Sequence, residues 1–246
     1  MPDTPRIVRL CAVLLQAALV ALTSAQYLGK VMPMGDSITA GLGSANGYRK
    51  VLQDSLAARG ITLTYCGQLS DFSEGMVVPW HEGHLGWSIE DLTAGRDGFG
   101  NAPAWLTRDH PTTVLLMAGT NNGLLPIPQM RAAYASLLDA CLAQEPSVRI
   151  YWASIPRSFD LVTGRADWEG QVNLLTRDMA AEYRQLGFDI RYVDVTDALD
   201  FTTDLADNYH PNAEGYAKIA RAFQQAMTRR IPSGISTSWA TPSVGQ

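Results

Sequence analysis

The chain has 246 residues, 46% of them hydrophobic and 17% charged, with a formal net charge of −5. That length suits a single α/β domain with a sizeable core. An acidic chain without a basic run has no electrostatic footprint for nucleic acid or for an anionic membrane surface, so neither is expected as a partner.

Residues 1–25 read as a signal peptide. Arg6 and Arg9 precede an apolar run from Leu10 to Leu22, and Thr23-Ser24-Ala25 supplies small residues for cleavage. The run is about 13 residues, short of the roughly 20 that span a bilayer. The expected product is a soluble, secreted, extracellular protein with one domain over 26–230. A Ser/Pro/Gly-rich tail at 231–246 is expected to be loosely held.

Within the domain, strands and helices alternate. "KVMPM" (30–34) is a first strand, and "GYRKVLQDSLAARG" (47–60) a helix stopped by Gly60. "ITLTYC" (61–66) is a second strand. A glycine-rich segment runs from Gly67 to Asn101. "TTVLLMAG" (112–119) is a continuous apolar run, as in a buried parallel strand. Helices are expected at 127–144, 168–187 and 212–230, and strands at 148–154 and 189–195. The alternation predicts an α/β fold with a five-stranded parallel sheet and helices on both faces. Ligands of such sheets bind beyond the carboxyl ends of the strands. The segments that follow strands therefore matter most: Gly35-Asp36-Ser37, the glycine-rich segment, Gly119-Thr120-Asn121-Asn122, and "DNYHPNAEGY" (207–216).

Cys66 lies at the end of the second strand and Cys141 in the last turn of a helix running the other way. A disulfide needs Cα atoms within about 7 Å. Two unpaired, buried thiols are expected, and Cys11 lies in the signal.

Serine-based acyl transfer needs a base, an orienting carboxylate and oxyanion donors. His210 can be the base for Ser37, and Asp207, three residues earlier, can reach back to its Nδ1–H. The backbone N–H groups of Ser37 and Gly86 and the side-chain amide of Asn121 can form the oxyanion hole. Alone, Ser37 reads better as a helix cap than as a nucleophile; the three other motifs reverse that reading toward a nucleophile. Gly35-Asp36-Ser37-Ile38-Thr39 does not fit the G-x-S-x-G elbow, because Thr39 stands where glycine is required. His110-Pro111 has Thr107 instead of an acid three residues before it, and reads as a loop histidine. His81 and His84 are three apart among glycines, against four apart on a helix in the zinc signature. No metal and no cofactor are expected. His84 is expected to line or brace the Gly86 loop. Trp80 and Trp87 can stack on sugar rings or serve the core. Arg49 can meet a polar substrate or pair with a surface carboxylate. Asp36, Arg49, His84 and Trp87 are the candidate substrate contacts.

"GDS", "GHLGW", "GTNN" and "DNYHP" occur in the order and spacing of the SGNH hydrolases, also called the GDSL family, and the chain resembles them from Leu28 to Thr228. The resemblance implies a flavodoxin-like three-layer α/β/α sandwich and a serine esterase. It implies Ser37 as nucleophile, Asp207 and His210 completing the triad, and Gly86 and Asn121 as oxyanion donors with the Ser37 N–H. "MPMGDSITAG", "GYR" (47–49), "HEGHLGW" and "HPNAEGYAKIA" further resemble carbohydrate esterase family 3, which contains secreted acetylxylan esterases. One departure is present: the family's third motif ends in Asp, where this chain has Asn122. The expected activity is deacetylation of plant cell-wall polysaccharide such as acetylated xylan by a monomer. The alternatives are a lipolytic esterase or lysophospholipase with the same triad, and a non-catalytic carbohydrate-binding protein.

Overall fold

The computed structural model of the chain describes residues 26–158 and 164–229. The expected signal peptide and the Ser/Pro/Gly-rich tail lie outside the described residues. The expected "KVMPM" strand extends over Gln26–Gly35 as β1, and its last five residues are buried. Four further strands run parallel to it: β2 (Ile61–Tyr65), β4 (Thr113–Met117), β5 (Arg149–Ala153) and β6 (Ile190–Val193), in the order β2-β1-β4-β5-β6. A sixth, two-residue strand, β3 (Glu82–Gly83), was not anticipated. It pairs with β1 at Met34 and Gly35, just beyond the stretch that β2 covers.

Strand side chains alternate between two faces, as the period of two requires. Met32, Met34, Val114, Leu116, Ile150 and Trp152 enter one core; Val31, Leu115, Met117, Tyr151 and Val193 enter the other. Among the described residues seven α-helices cover these faces: α1 (Ser37–Ala40), α2 (Arg49–Ala57), α3 (Ile89–Ala94), α4 (Ala102–Asp109), α5 (Ile127–Gln144), α6 (Arg165–Gln185) and α7 (Ala213–Thr228). The first core takes side chains from α3, α4, α5 and α6; the second takes them from α1, α2 and α7. The result is a three-layer α/β/α sandwich. Burying a side chain such as Phe223 or Leu137 contributes about 1.5–3 kcal/mol, and both are fully buried.

Two short helices, α3 and α4, also went unanticipated in the glycine-rich segment and just after it. Both carry strong caps: Ser88 and Asp91 form a reciprocal capping box, and Asn101 caps α4 with Pro103 in its first turn. Cys66 and Cys141 are buried and unpaired, and burial pushes both thiols up to about 12. No helix among the described residues is long and apolar enough to cross a membrane.

Candidate active site

β1 delivers Ser37 to the carboxyl end of the sheet, and close strand packing sets the corner. A Cβ on Gly35 would lie 1.9 Å from the carbonyl oxygen of Met117 on β4, so only glycine allows this approach. The helix that follows is capped by Asp36, not by Ser37: Asp36 Oδ1 accepts from the Ile38 N–H at 3.0 Å. Ser37 is thus the first residue of α1. Its own N–H has no partner within the helix, as at any helix start.

The Ser37 hydroxyl lies 2.9 Å from His210 Nε2. His210 Nδ1 lies 2.8 Å from Asp207 Oδ2. The carboxylate accepts only, so Nδ1 carries the proton and Nε2 is left to accept from Ser37. The turn is held from within. Asp207 Oδ1 accepts the backbone N–H groups of Tyr209 and His210 at 2.8 Å each. Leu205 pairs with Pro211, and Asn212 caps α7 through the N–H groups of Glu214 and Gly215. Partial burial raises the Asp207 carboxyl, but those N–H bonds and the His210 ring more than offset it, leaving it below its ordinary value.

Two of the three oxyanion candidates, Gly86 and Asn121, sit on two linked loops; the third, the Ser37 N–H, stands at the start of α1. Residues 84–87 form a turn in which the Trp87 N–H donates to the His84 carbonyl at 3.2 Å. Gly86 stands within it at φ +73°, the left-handed region that favours glycine, and its N–H has no acceptor among the described residues. Asn121 lies in a single 3₁₀ turn, Thr120–Asn122, directly after β4. Its side-chain amide donates to the Trp87 carbonyl at 3.0 Å, which ties the two loops together and leaves its second N–H available.

The structure also explains Asn122. Its Oδ1 accepts from the Ile89 N–H at 3.1 Å, the acceptor role an Asp would fill. Its amide then donates to Glu90 Oε2 at 2.7 Å. An Asp at 122 would set a second carboxylate against Glu90, so the amide suits this neighbourhood.

The candidate substrate contacts need correction. Asp36, Arg49, His84 and Trp87 are all buried, with Asp36 and Arg49 at 0% exposure. Arg49 neither meets solvent nor pairs with a surface carboxylate. Its guanidinium donates to the carbonyls of Thr39, Asp71 and Phe72 at 2.8–2.9 Å, pinning α1 to the loop after β2. His84 Nε2 bonds to the buried carboxylate of Glu82 at 2.9 Å, and its ring stacks on Trp87 at 4.1 Å and on Trp105 at 4.7 Å. His84 braces the Gly86 turn and does not line the site. His81 faces elsewhere: its Nδ1 accepts from the Gly83 N–H, so Nε2 is the side that meets Asp71. His110 caps α4 and bonds Glu145, consistent with a loop role. Trp80 is part exposed.

A cavity of about 270 Å³ opens beside Ser37 and His210. Thr120, Asn121 and Gly123 form one wall, and Arg165 and Tyr209 another; no aliphatic side chain among the described residues lines it. Gly86 is not among the lining residues. Arg165 and Tyr209 escaped the sequence reading. Tyr209 stands inside the "DNYHP" motif, a readable signal. Arg165 stands in no motif.

Residues 34–218 match the GDSL-like Lipase/Acylhydrolase family, and the chain belongs to that family. The Multidomain esterase of Ruminococcus flavefaciens is 31% identical over 232 residues, which cover 81% of this chain and 28% of that protein. The chain thus spans little more than a quarter of that relative. Among solved structures, a Clostridium thermocellum family 3 carbohydrate esterase superposes with a TM-score of 0.67 at 24% identity, over 80% of this chain and 94% of that one. An acetyl esterase variant crystallised with acetate ion superposes with a TM-score of 0.68 at 23% identity, over 80% and 95%. At these identities the two structures establish the shared α/β fold.

Proposed function

We propose that the protein hydrolyses short acyl esters of hydroxylated alcohols through Ser37, His210 and Asp207, and that its substrate is acetylated polysaccharide such as acetylated xylan. One observation carries this reading: the Ser37–His210–Asp207 chain, at 2.9 and 2.8 Å, opens on a small cavity walled by polar groups. Ser37 Oγ attacks the ester carbonyl while its proton passes to His210 Nε2. The oxyanion is held by the N–H groups of Ser37 and Gly86 and by the free amide hydrogen of Asn121. The tetrahedral intermediate collapses, His210 gives its proton to the departing sugar hydroxyl, and an acetyl-serine ester remains. Water, deprotonated by His210, attacks that ester and releases acetate. Asp207 keeps the imidazole in the required tautomer throughout. No step needs a metal or cofactor. The apolar N-terminal segment supports export to the extracellular medium, where such a polymer would be met by a monomeric enzyme.

A lipolytic role has one observation in its favour. Leu85 and Leu124, which adjoin the two oxyanion loops, stay exposed. An acyl-chain series decides between the two. On p-nitrophenyl esters, kcat/KM should fall from acetyl to octanoyl by at least about tenfold, since the walls formed by the described residues carry no aliphatic side chain and gain little from added methylenes. Acetate release from acetylated xylan should accompany it. A preference for octanoyl would establish the lipolytic reading instead.

A further inference from the structure

Arg165 is a buried cation for which the proposed reaction has no stated use. Its side chain is 9% exposed, and that of its partner Glu169 is 2% exposed. Arg165 Nε lies 3.0 Å from Glu169 Oε1 and 3.0 Å from Ser158 Oγ. Nη2 donates to the Thr120 carbonyl at 2.9 Å. The guanidinium also lies 5.1 Å from the centre of the Tyr209 ring and 5.7 Å from that of Trp168. Glu169 is fully engaged in turn, accepting from the Ser158 N–H and hydroxyl. One side chain thus touches three separate loops: the one after β4, the one after β5, and the turn that carries Asp207 and His210. It also lines the cavity beside Ser37.

We propose that Arg165 is a positioning residue of this site, clamping the Asn121 loop and the His210 turn at one fixed separation. The inference rests on the esterase reading above. The peptide between Thr120 and Asn121 is planar, so pinning the Thr120 oxygen also fixes the nitrogen and Cα from which the Asn121 amide projects. The loop needs such an anchor. Thr120–Asn122 is a single turn between Gly119 and Gly123, with no side-chain cap at its start. At the other end, the guanidinium against the Tyr209 ring steadies the residue next to His210. A buried ion pair adds little net stability over apolar side chains of the same volume, which leaves geometry as its use. Lysine cannot replace it, because the clamp uses two nitrogens in a fixed fork and a flat face at once.

The test uses Arg165→Met, Arg165→Lys and Arg165→Ala in the full chain, with Ser37→Ala as reference, on p-nitrophenyl acetate. Circular dichroism and thermal melting report folding. For Arg165→Met, kcat should fall about 10–100-fold, as for a misplaced oxyanion donor, with KM changing less than about threefold. Arg165→Lys should recover only part of the loss. Added millimolar guanidinium should raise the activity of Arg165→Ala several-fold and leave the parent unchanged, a response that general loosening of the fold would not give. A folded Arg165→Met with the parent's kcat, or a loss residing wholly in KM, overturns the proposal. If Arg165→Met does not fold, Arg165→Lys decides: parental kcat overturns the clamp, and a loss that guanidinium repairs in Arg165→Ala supports it. If Ser37→Ala is as active as the parent, the esterase reading itself fails and takes the clamp with it, an outcome distinct from any of the Arg165 results.

Discussion

Asp36 sits next to Ser37, the proposed nucleophile, yet is fully buried. It caps α1 through Oδ1, while Oδ2 has no hydrogen bond in ordinary geometry. Burial pushes its carboxyl up to about 6; the Ile38 N–H, the field of His210 and contact with Thr120 offset this only in part. A folded-state value above the unfolded one means that folding favours the protonated acid. That stabilisation is complete below about pH 4 and is lost as pH rises through about 6. Over this window the parent should lose on the order of 3 kcal/mol of stability relative to Asp36→Asn. Urea unfolding of both at pH 4, 5, 6 and 7 checks it, and parallel curves would contradict the assignment. Asp207 has the opposite sign: its carboxyl is depressed, so its contribution is present above about pH 3.9 and disappears as pH falls through its lowered folded value. Asn122 makes a simpler case. Asn122→Asp replaces the 2.7 Å bond to Glu90 by like charges. It should cost about 0.5–1 kcal/mol at low salt and less at high salt, read as the shift in melting temperature. An unchanged melting temperature at low salt would mean that the Glu90 contact carries no weight.

At the scale of elements, the His84–Trp87 turn holds two of the three proposed oxyanion donors, Gly86 and Asn121, in place. The stack Trp87–His84–Trp105 and the Glu82–His84 bond fix it against α4, where Arg108 also meets Glu82 at 2.6 Å. His84→Ala should destabilise the fold by about 3 kcal/mol, because the Glu82 carboxylate loses a buried partner and two indoles lose their spacer. Its kcat should drop with it, measured at a temperature where the variant is still folded. Gly86→Ala isolates the turn itself. An added Cβ meets only Arg96, 4.0 Å away, so the penalty is the left-handed backbone, about 1–2 kcal/mol. Alanine keeps the backbone N–H, so kcat should fall only as far as the turn shifts, and a Gly86→Ala protein with the parent's melting temperature would show that the left-handed backbone carries no such penalty. Much of this level was readable in advance. The 127–144 helix matches end to end because eighteen residues carry its period. By contrast α3 and α4, of six and eight residues, are too short for periodicity to show, although their capping residues were in view. The site residues that follow strand ends were legible for the same topological reason. Arg165 was not, since its partners Thr120 and Tyr209 are distant in sequence and only packing unites them. Burial hid the other error: sequence shows that Asp36 and Arg49 lie near the reactive corner, but not that both face inward.

At the scale of the molecule, the sheet order gathers the chemistry. β1 and β4 are neighbours, so Ser37 and Asn121 leave the sheet side by side, and the segment after β6 brings Asp207 and His210 back over them. The described lining of the resulting cavity is polar, which supports the proposed preference for acetyl over long acyl chains. The measurement that bears most directly on the whole account is acetate release from acetylated xylan by the parent and by Ser37→Ala at equal concentrations of folded protein. Removing a triad nucleophile leaves only residual catalysis, so the rate should fall by at least about a thousandfold. A Ser37→Ala protein that releases acetate at the parent's rate would show that hydrolysis does not pass through Ser37.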